Sequence, residues 1–554
     1  MARRRDPGMV SFDVSSDVEA EGDDGGTPVA ADARAGWWSR AGDRWRRADR
    51  RQRRLLAGAA GGVVLVLIGG TAVAAVVVSH THDERLRSAP GGVLSLTGEV
   101  GEVWRAEGNG VLAVLPGGGV VLDEDEDVVA RDAGSGQERW RANLGADPVC
   151  GPRPRLESGV EWSMPSDLVT CLHGPAEERT VTVLDAAGDV VGHRELPAAE
   201  YGGEDRDVAP AADGGLLVAN HDTDMPDDRR YATQEDARAA LRDVEPGRAS
   251  VRVEDAVTGD LRFEVPTTAH AGRLLDECAF VWDESEAVGL DTFDRSAPYR
   301  LEVSPERRLH SSPAVVGYRW CDVGGATTPD GRSFAEHAGG GAQRGGGEVV
   351  PYPGGGHVGP TASGPDGSVL LAADGTVRLE SSRSTISVPH AAVDARGPVV
   401  VATAGYEAIV GLDLDGEELW RHDLMDPHVL AQVGEALVVA GQSDVVALDV
   451  ADGSELWRVA LYDPQELYGW PTSAVTDGER VMVALIGYED DVEVGELLTM
   501  DLATGAADRE RLDAGRVPYL SAVDGHVVLQ EVGRADAMGV YRSDVTSVSI
   551  LAPR

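Results

Sequence analysis

Short runs of alternating apolar and polar residues recur beyond residue 93, and each run leads into an Asp and a Gly-containing turn. Alternation with a period of two is typical of a half-buried β-strand. The clearest copies are VVARDAGSGQERW (Val128 to Trp140), IVGLDLDGEELW (Ile409 to Trp420) and VVALDVADGSELW (Val445 to Trp457). Each unit predicts a β-hairpin whose second strand carries an aromatic residue.

The Asp and the Gly of each unit have predicted roles in the turn. An Asp side chain can accept hydrogen bonds from the backbone N–H groups that follow it, and Gly supplies the positive φ that closes the turn. Weaker copies end at Gly192, Phe263, Tyr299 and Arg509. The residues assigned a structural role in the repeat are Asp132, Gly136, Trp140, Asp255, Gly259, Asp413, Gly416, Trp420, Asp449, Gly453, Trp457, Asp501 and Gly505.

The spacing of the units predicts the architecture. The intervals from Asp255 to Asp291 and from Asp413 to Asp449 are both 36 residues, and a second hairpin precedes several copies. Four short strands in such a length fit one blade of a β-propeller. We therefore predict an all-β fold, a propeller of about eight four-stranded blades over residues 93–554, with seven blades as the alternative.

Two further expectations concern the ring itself. The 122 residues between Asp291 and Asp413 must hold one more blade, around Ser312 to Pro389. The last strands of the chain are expected to pair with the segment near Val93 to Ala113, because closure of the ring removes exposed strand edges.

The repeat resembles that of the pyrroloquinoline-quinone-type (quinoprotein-like) β-propellers, best at Ile409 to Trp420 and at Val445 to Trp457. The resemblance implies that Trp140, Trp420 and Trp457 pack between adjacent blades, with Phe263 and Tyr299 as substitutes. It also covers both noncatalytic scaffolds and dehydrogenases. Family members that use the quinone generally hold it with Ca²⁺ at the ring centre, and many have a disulfide between adjacent cysteines, which this chain lacks.

An uncharged stretch of 24 residues, 55–78, is long enough to cross a bilayer as a helix. Eight Arg residues lie between positions 40 and 54 and none directly after the stretch, so the positive-inside rule places residues 1–54 in the cytoplasm. The sequence predicts a single-pass cell-membrane protein with a disordered, Arg-rich tail (1–54), a transmembrane helix (55–78), a linker (79–92) and an extracellular propeller (93–554). A cleaved signal peptide is disfavoured, because the apolar stretch is too long and begins too late.

Charge restricts the partners of the chain. Its net charge is −44, and residues 79–554 contain 38 Arg against 84 acidic residues, a net charge of −46. Such a surface repels phosphate backbones, so nucleic acid is excluded as a partner.

The four cysteines, Cys150, Cys171, Cys278 and Cys321, all follow the apolar stretch, as expected for disulfides outside the cell. Three pairings are possible. Cys150 with Cys171 and Cys278 with Cys321 are favoured, each joining neighbouring blades. Zinc is disfavoured because no close Cys/His spacing is present.

Two insertions interrupt the repeat pattern. Thr233 to Val244 has a capping-box start and predicts a short helix within the third blade. The Gly-rich region Cys321 to Gly367 predicts a long loop.

The sequence contains no catalytic motif such as HExxH, GxSxG or GK[ST]. We therefore expect no catalytic residues and no metal site, and no cofactor, in a binding or scaffold module for a protein, peptide or cell-envelope ligand. The alternative is a quinoprotein dehydrogenase of the same fold, which would require pyrroloquinoline quinone (PQQ) with calcium.

Overall fold

The computed structural model shows an all-β chain in which antiparallel sheets follow one another. The described residues are 80–98, 100–108, 110–124, 127–145, 148–156, 158–175, 178–202, 206–221, 229–242, 249–265, 267–269, 279–283, 299–303, 307–320, 323–332, 349–360, 367–395, 399–461, 470–489, 492–514, 516–533 and 545–553. The predicted tail (1–54) and transmembrane helix (55–78) lie outside them. In the part described, no helix is both long and apolar enough to span a membrane.

Among the described residues, nine sheets of four or five strands can be numbered in chain order, and alternating buried residues on their strands form the core between neighbouring sheets. Sheet 9 joins the two ends of the described chain, with strand order β1-β40-β39-β38. Its strands are β1 (Val100–Glu107), β38 (Arg516–Val523), β39 (His526–Gly533) and β40 (Val545–Pro553). The expected closure is present: β1 pairs antiparallel with β40 along its length.

Sheets 1 to 3 take their strands from residues 111–265. Sheet 1 has β2 (Val111–Leu115), β3 (Gly119–Glu124), β4 (Asp127–Asp132) and β5 (Glu138–Asn143). Sheet 2 has β6 (Val149–Gly151), β7 (Leu168–His173), β8 (Glu178–Asp185) and β9 (Val190–Pro197). Sheet 3 has β10 (Arg206–Ala211), β11 (Gly215–His221), β13 (Ala249–Asp255) and β14 (Leu261–Val265).

Sheets 4 and 5 fill most of the long interval without visible motifs. Sheet 4 has β15 (Thr268–Ala269), β18 (Arg307–Ser311), β19 (Val316–Trp320) and β20 (Val323–Thr327), and sheet 5 has β21 (Val350–Pro351), β22 (His357–Pro360), β23 (Ser368–Leu371) and β24 (Val377–Ser381). One further blade was expected around Ser312 to Pro389; strands do lie there, but they belong to both sheet 4 and sheet 5. The expectation of one long loop over Cys321 to Gly367 is wrong, because β20, β21 and β22 lie inside it.

Sheets 6 to 8 contain the best copies of the repeat. Sheet 6 has β25 (Thr385–Ile386), β27 (Val400–Ala404), β28 (Ala408–Leu412) and β29 (Glu418–Asp423). Sheet 7 has β26 (Ala391–Val393), β30 (His428–Val433), β31 (Ala436–Ala440), β32 (Asp444–Asp449) and β33 (Glu455–Ala460), with β26 parallel to β30. Sheet 8 has β34 (Trp470–Thr476), β35 (Arg480–Glu489), β36 (Val492–Asp501) and β37 (Ala507–Ala514).

A small satellite sheet lies outside this series. It consists of β12 (Arg229–Tyr231), β16 (Ala279–Asp283) and β17 (Tyr299–Val303), in the order β12-β17-β16. Tyr299, expected to replace a repeat tryptophan, is instead in β17, which pairs with strands of the insertions rather than with a blade. Asp291 of that weak copy lies outside the described residues.

Helices are short in the part of the chain that the structure describes. They comprise Gly159–Trp162, Ala198–Tyr201, Gln234–Arg242 and the 3₁₀ turn Ala212–Gly214, and residues 80–88 are also helical. The helix predicted in the third blade is Gln234–Arg242, between β11 and β13. Thr233 caps it, accepting a hydrogen bond from the Asp236 backbone N–H at 3.0 Å.

The four-stranded sheets and the closing pair of β1 with β40 fit a β-propeller. The sheets have two ends. We call the end with the first-to-second strand turns and the Asp–Gly turns the motif face. We call the end with the second-to-third strand turns and the connections between sheets the opposite face.

Candidate binding faces of the propeller

In the Asp–Gly turns of the motif face, the Asp carboxylate accepts hydrogen bonds from backbone N–H groups of the turn. Asp413 Oδ1 accepts from the N–H groups of Asp415 and Glu417, both at 2.9 Å, and Gly416 has φ of 83°. The corresponding side chains of Asp132, Asp255, Asp449 and Asp501 accept from their own turns, and Gly136, Gly259, Gly453 and Gly505 have φ between 70° and 80°. These residues build turns, which leaves their carboxylates poorly placed for a ligand.

Each repeat tryptophan is hydrogen-bonded to the next sheet. The Trp420 indole N–H donates to the carbonyl of Val450, the residue after the next motif Asp, at 2.8 Å. Val450 N–H in turn donates to Glu435 O in the first turn of its own sheet, at 2.8 Å. In four cases the indole N–H donates to the carbonyl oxygen of the residue after a motif Asp. The pairs are Trp104 with Ala133, Trp140 with Ala186, Trp420 with Val450 and Trp457 with Leu502, at 2.7–3.0 Å.

The turn glycine of the next sheet lies on the indole ring. A Cβ at Gly453 would be 2.6 Å from Trp420 Cε3, and one at Gly136 would be 2.6 Å from Trp104 Cγ. A Gly is therefore required at this position, both because φ is positive and because any side chain would collide with the indole ring. The tryptophans pack between sheets, as the resemblance implied.

Trp104 was missed by the repeat pattern because no Asp–Gly turn precedes it in the sequence. Its hairpin partner, β40, lies at the other end of the chain. A local signal does exist, since Trp104, Trp140, Trp420 and Trp457 all occur in the sequence Glu-x-Trp-Arg. The Arg of this sequence pairs with the Glu, as in Arg458–Glu455 at 2.7 Å.

Between sheets 2 and 3, an arginine takes the place that a tryptophan has in the four cases above. Arg194 Nε donates to Ala256 O, the residue after Asp255, at 3.1 Å, and Arg194 Nη2 donates to the buried carboxylate of Glu254 at 3.0 Å. Tyr201 Oη donates to the same oxygen at 2.8 Å. Burial alone would raise the pKa of Glu254, but hydrogen bonds from Arg252, Tyr201 and Arg194 outweigh it and lower that pKa. Phe263 lies against Gly331.

A second buried carboxylate joins all four strands of sheet 9. Arg105 on β1 and Arg516 on β38 donate to Glu531 Oε2 on β39 at 2.7 and 2.8 Å, and Ser547 on β40 donates to it at 2.7 Å. Glu531 is 4% exposed. Burial would raise the pKa of Glu531, but Ser547, Arg516 and Arg105 together lower it.

The connection from β6 to β7, residues 152–167, leaves its own sheet; we call it the axial segment. Ser166 N–H donates to Val114 O of sheet 1 at 2.8 Å, and Trp162, 1% exposed, packs in one cluster with Val517 of sheet 9. Glu161 accepts from Ser312 Oγ, in a turn of sheet 4, at 2.8 Å. The segment therefore links sheets 1, 4 and 9 at the motif face.

The charges in the axial segment are satisfied internally. Glu161 is fully buried and accepts from Arg155 N, Nε and Nη2 at 2.7–2.9 Å. His357 lies beside this pair, and burial lowers its pKa. Protein donors therefore already occupy the hydrogen-bonding positions of the Glu161 carboxylate.

The residues before β1 also cover the motif face. Residues 80–88 are helical, Leu86 is fully buried, and Arg85 pairs with Asp394 at 2.8 Å. Gly91 O accepts from Thr476 N–H and Gly92 bridges to the same residue. Residues 80–92, which fall within the predicted linker (79–92), dock on turns of sheets 7 to 9.

The opposite face carries the insertions and the exposed aromatic residues. The helix Gln234–Arg242 and β12 lie in the second-to-third strand turn of sheet 3, and β16 and β17 lie between β15 and β18 of sheet 4, so these elements lie at this end. Tyr406, Met425 and Trp470 are 72%, 53% and 48% exposed. Tyr406 is in the β27–β28 turn, Met425 in the connection between sheets 6 and 7, and Trp470 at the start of β34.

Cys150 and Cys171 form the predicted disulfide. They are direct partners on β6 and β7, so the bond lies within one sheet; the expectation that it joins neighbouring blades is wrong. Cys278 and Cys321 lie outside the described residues. Within the described ranges, no three His, Cys, Asp or Glu side chains cluster to hold a metal.

These features define a propeller of the PQQ-like repeat class. Residues 326–547 match the family model described as outer membrane protein assembly factor BamB, and the chain is a PQQ-like repeat protein. No curated protein matches the chain in sequence.

Many solved structures resemble the chain weakly. A dihydro-heme d1 dehydrogenase, NirN, in complex with DHE is 12% identical, covers 84% of this chain and 79% of its own, and has a TM-score of 0.31. A prolyl endopeptidase is 12% identical with shares of 82% and 56% and a TM-score of 0.28. Hsv2 of Kluyvelomyces marxianus is 7% identical with shares of 63% and 94% and a TM-score of 0.25. Similarity this low carries no argument about function.

Proposed function

We propose that this protein is a noncatalytic binding or scaffold module, a propeller outside the cell anchored by one membrane span. The observation that carries the proposal is the axial segment. It brings the buried side chains of Glu161 and Trp162 across the ring at the motif face. A propeller filled at that end offers a rigid platform for a macromolecular ligand, with its variable loops at the other end.

The residues at that end of the axis do not fit PQQ with calcium. A calcium ion takes six to eight oxygen ligands, several of them carboxylates. Glu161 already accepts four hydrogen bonds from Arg155 and Ser312, and Arg155 brings a positive charge next to it. The quinoprotein dehydrogenase therefore remains the second candidate.

The test is dye-linked oxidation of alcohols and sugars by the full-length protein in detergent, incubated with PQQ and Ca²⁺. We expect turnover equal to that of a quinone-free control. Turnover well above this control and abolished by EDTA would refute the noncatalytic function and establish the dehydrogenase.

The membrane anchor and the blade count are parts of the same proposal. The span at 55–78 and the Arg residues before it support a cytoplasmic N-terminus and an extracellular propeller. Nine sheets of four or five strands favour nine blades over the eight or seven expected from the motifs. Projection images of the ring by electron microscopy would count them.

A further inference from the structure

We propose that the opposite face binds a basic polypeptide segment at an aromatic patch formed by Tyr406, Met425 and Trp470. The proposal rests on the noncatalytic binding function and adds to it the surface and the chemistry of the partner. Tyr, Trp and Met are among the residue types enriched at protein interfaces, and Tyr and Trp dominate hot spots. Here all three side chains are about half exposed or more, and all three lie on the opposite face.

Backbone hydrogen bonds hold the patch in place. Tyr406 O accepts from Asp426 N–H at 2.7 Å, and Glu407 O accepts from Leu424 N–H at 3.0 Å, so the β27–β28 turn is tied to the connection that carries Met425. Met425 O accepts from Gln442 N–H of sheet 7 at 2.8 Å. A turn fixed at both residues presents the phenol ring with little ordering cost on binding.

The third side chain belongs to the next sheet around the ring. Trp470 begins β34, the first strand of sheet 8, and β34 contacts β30, the first strand of sheet 7. His428 begins β30, two residues after Asp426, so both strands start on the same face. Tyr406, Met425 and Trp470 therefore lie at the same end of three consecutive sheets, 6 to 8.

Charge selects the partner. Glu407 and Asp423 are exposed next to Tyr406, and Asp426 is half-exposed. Two basic side chains lie near them. Arg421 is held by Glu418 through two hydrogen bonds at 3.0 and 3.1 Å, and His428 Nε2 lies 3.7 Å from Asp426 Oδ2. Aromatic faces attract Arg and Lys, and a domain of net charge −46 accelerates the approach of cations and repels anionic chains. A basic segment can stack its side chains on the rings and pair with the carboxylates.

The experiment measures fluorescence anisotropy of a labelled peptide of alternating Arg and Gly with the full-length protein in detergent. The variants are Tyr406→Ala with Met425→Ala, and Trp470→Ala. The matched control is Val190→Ala with Leu456→Ala, which removes side chains 60% and 52% exposed on outer strands. An otherwise identical peptide with Glu in place of Arg tests the charge preference.

We expect saturable binding of the Arg peptide, weakened about tenfold or more by each patch variant and unchanged in the control, with no binding of the Glu peptide. Equal affinity for the natural protein and the patch variants would mean diffuse attraction to an acidic surface and would overturn the proposal, as would absence of binding. Thermal melts of each variant show that the fold is intact. These results are independent of the oxidation assay, so failure of the patch and failure of the noncatalytic function are distinguishable.

Discussion

Removing one indole between two sheets tests the packing of the ring. Trp420→Ala deletes a side chain that is 7% exposed, and aromatic side chains of this kind bury about 150–250 Å². At about 25 cal/mol per Å², the lost burial amounts to roughly 4–6 kcal/mol as an upper bound, and Trp→Ala substitutions in cores cost about 3–5 kcal/mol. The carbonyl of Val450 also loses its donor. We expect the free energy of unfolding to fall by about 4 kcal/mol.

Guanidinium unfolding of the full-length protein in detergent, followed by circular dichroism, measures this loss. Trp420→Phe keeps a ring but removes the N–H, so it should lower the free energy by less than the alanine variant. Leu419→Ala is the matched control, because Leu419 is 50% exposed on the same strand and exposed substitutions usually change stability by less than about 0.5 kcal/mol. If Trp420→Ala unfolds at the midpoint of the natural protein, the indole does not join the sheets and the structural role is refuted.

Three further outcomes are expected. Glu531→Gln should destabilise the protein at pH 7, and the difference in stability from the natural protein should shrink as the pH falls. A carboxylate whose pKa is lowered in the folded state stabilises the fold above its unfolded pKa, and this contribution is lost as the pH falls through the folded pKa. Guanidinium midpoints at pH 7 and pH 3 measure the difference, and a difference that does not change with pH would contradict the prediction. Reduction of Cys150–Cys171, which closes 21 residues, should cost about 3 kcal/mol, seen as a lower melting temperature, whereas an unchanged melting temperature would count against the bond. Protease added to intact cells should digest residues 93–554 and spare residues 1–54; the reverse pattern would invert the predicted topology.

The hairpins could be predicted because their signals are local, and the ring closure because a closed ring leaves no exposed strand edge. Alternation gives the strands, and the Asp–Gly pair gives the turn between the third and fourth strands. Trp104 escaped detection because its repeat is divided between the two ends of the sequence. Arg194 was also missed, because its guanidinium takes the place of an indole and donates to the equivalent carbonyl. Only the contacts of Arg194 with Ala256 and Glu254 show this.

The contacts across the ring could not be predicted from the sequence. The axial segment has no hydrophobic periodicity, and its buried Glu161 depends on Ser312, 151 residues away. A buried carboxylate is tolerated only when its partners are placed by the rest of the fold. Tyr299 is aromatic, as the last position of the repeat requires, yet its strand pairs with β12 of the satellite sheet. Nothing in the repeat motif predicts that pairing.

The two faces of the ring differ in how much their residues can change. On the motif face, the residue after a motif Asp can join two sheets: Val450 hydrogen-bonds to a turn in its own sheet and accepts the indole N–H of the preceding sheet. A change there disturbs two sheets at once, and Gly453 admits no side chain beneath the ring. Turns of the opposite face, such as Gly405 to Glu407, carry no indole contact and leave Tyr406 largely in solvent. Recognition of a partner can therefore vary on that face without loss of the packing that closes the propeller.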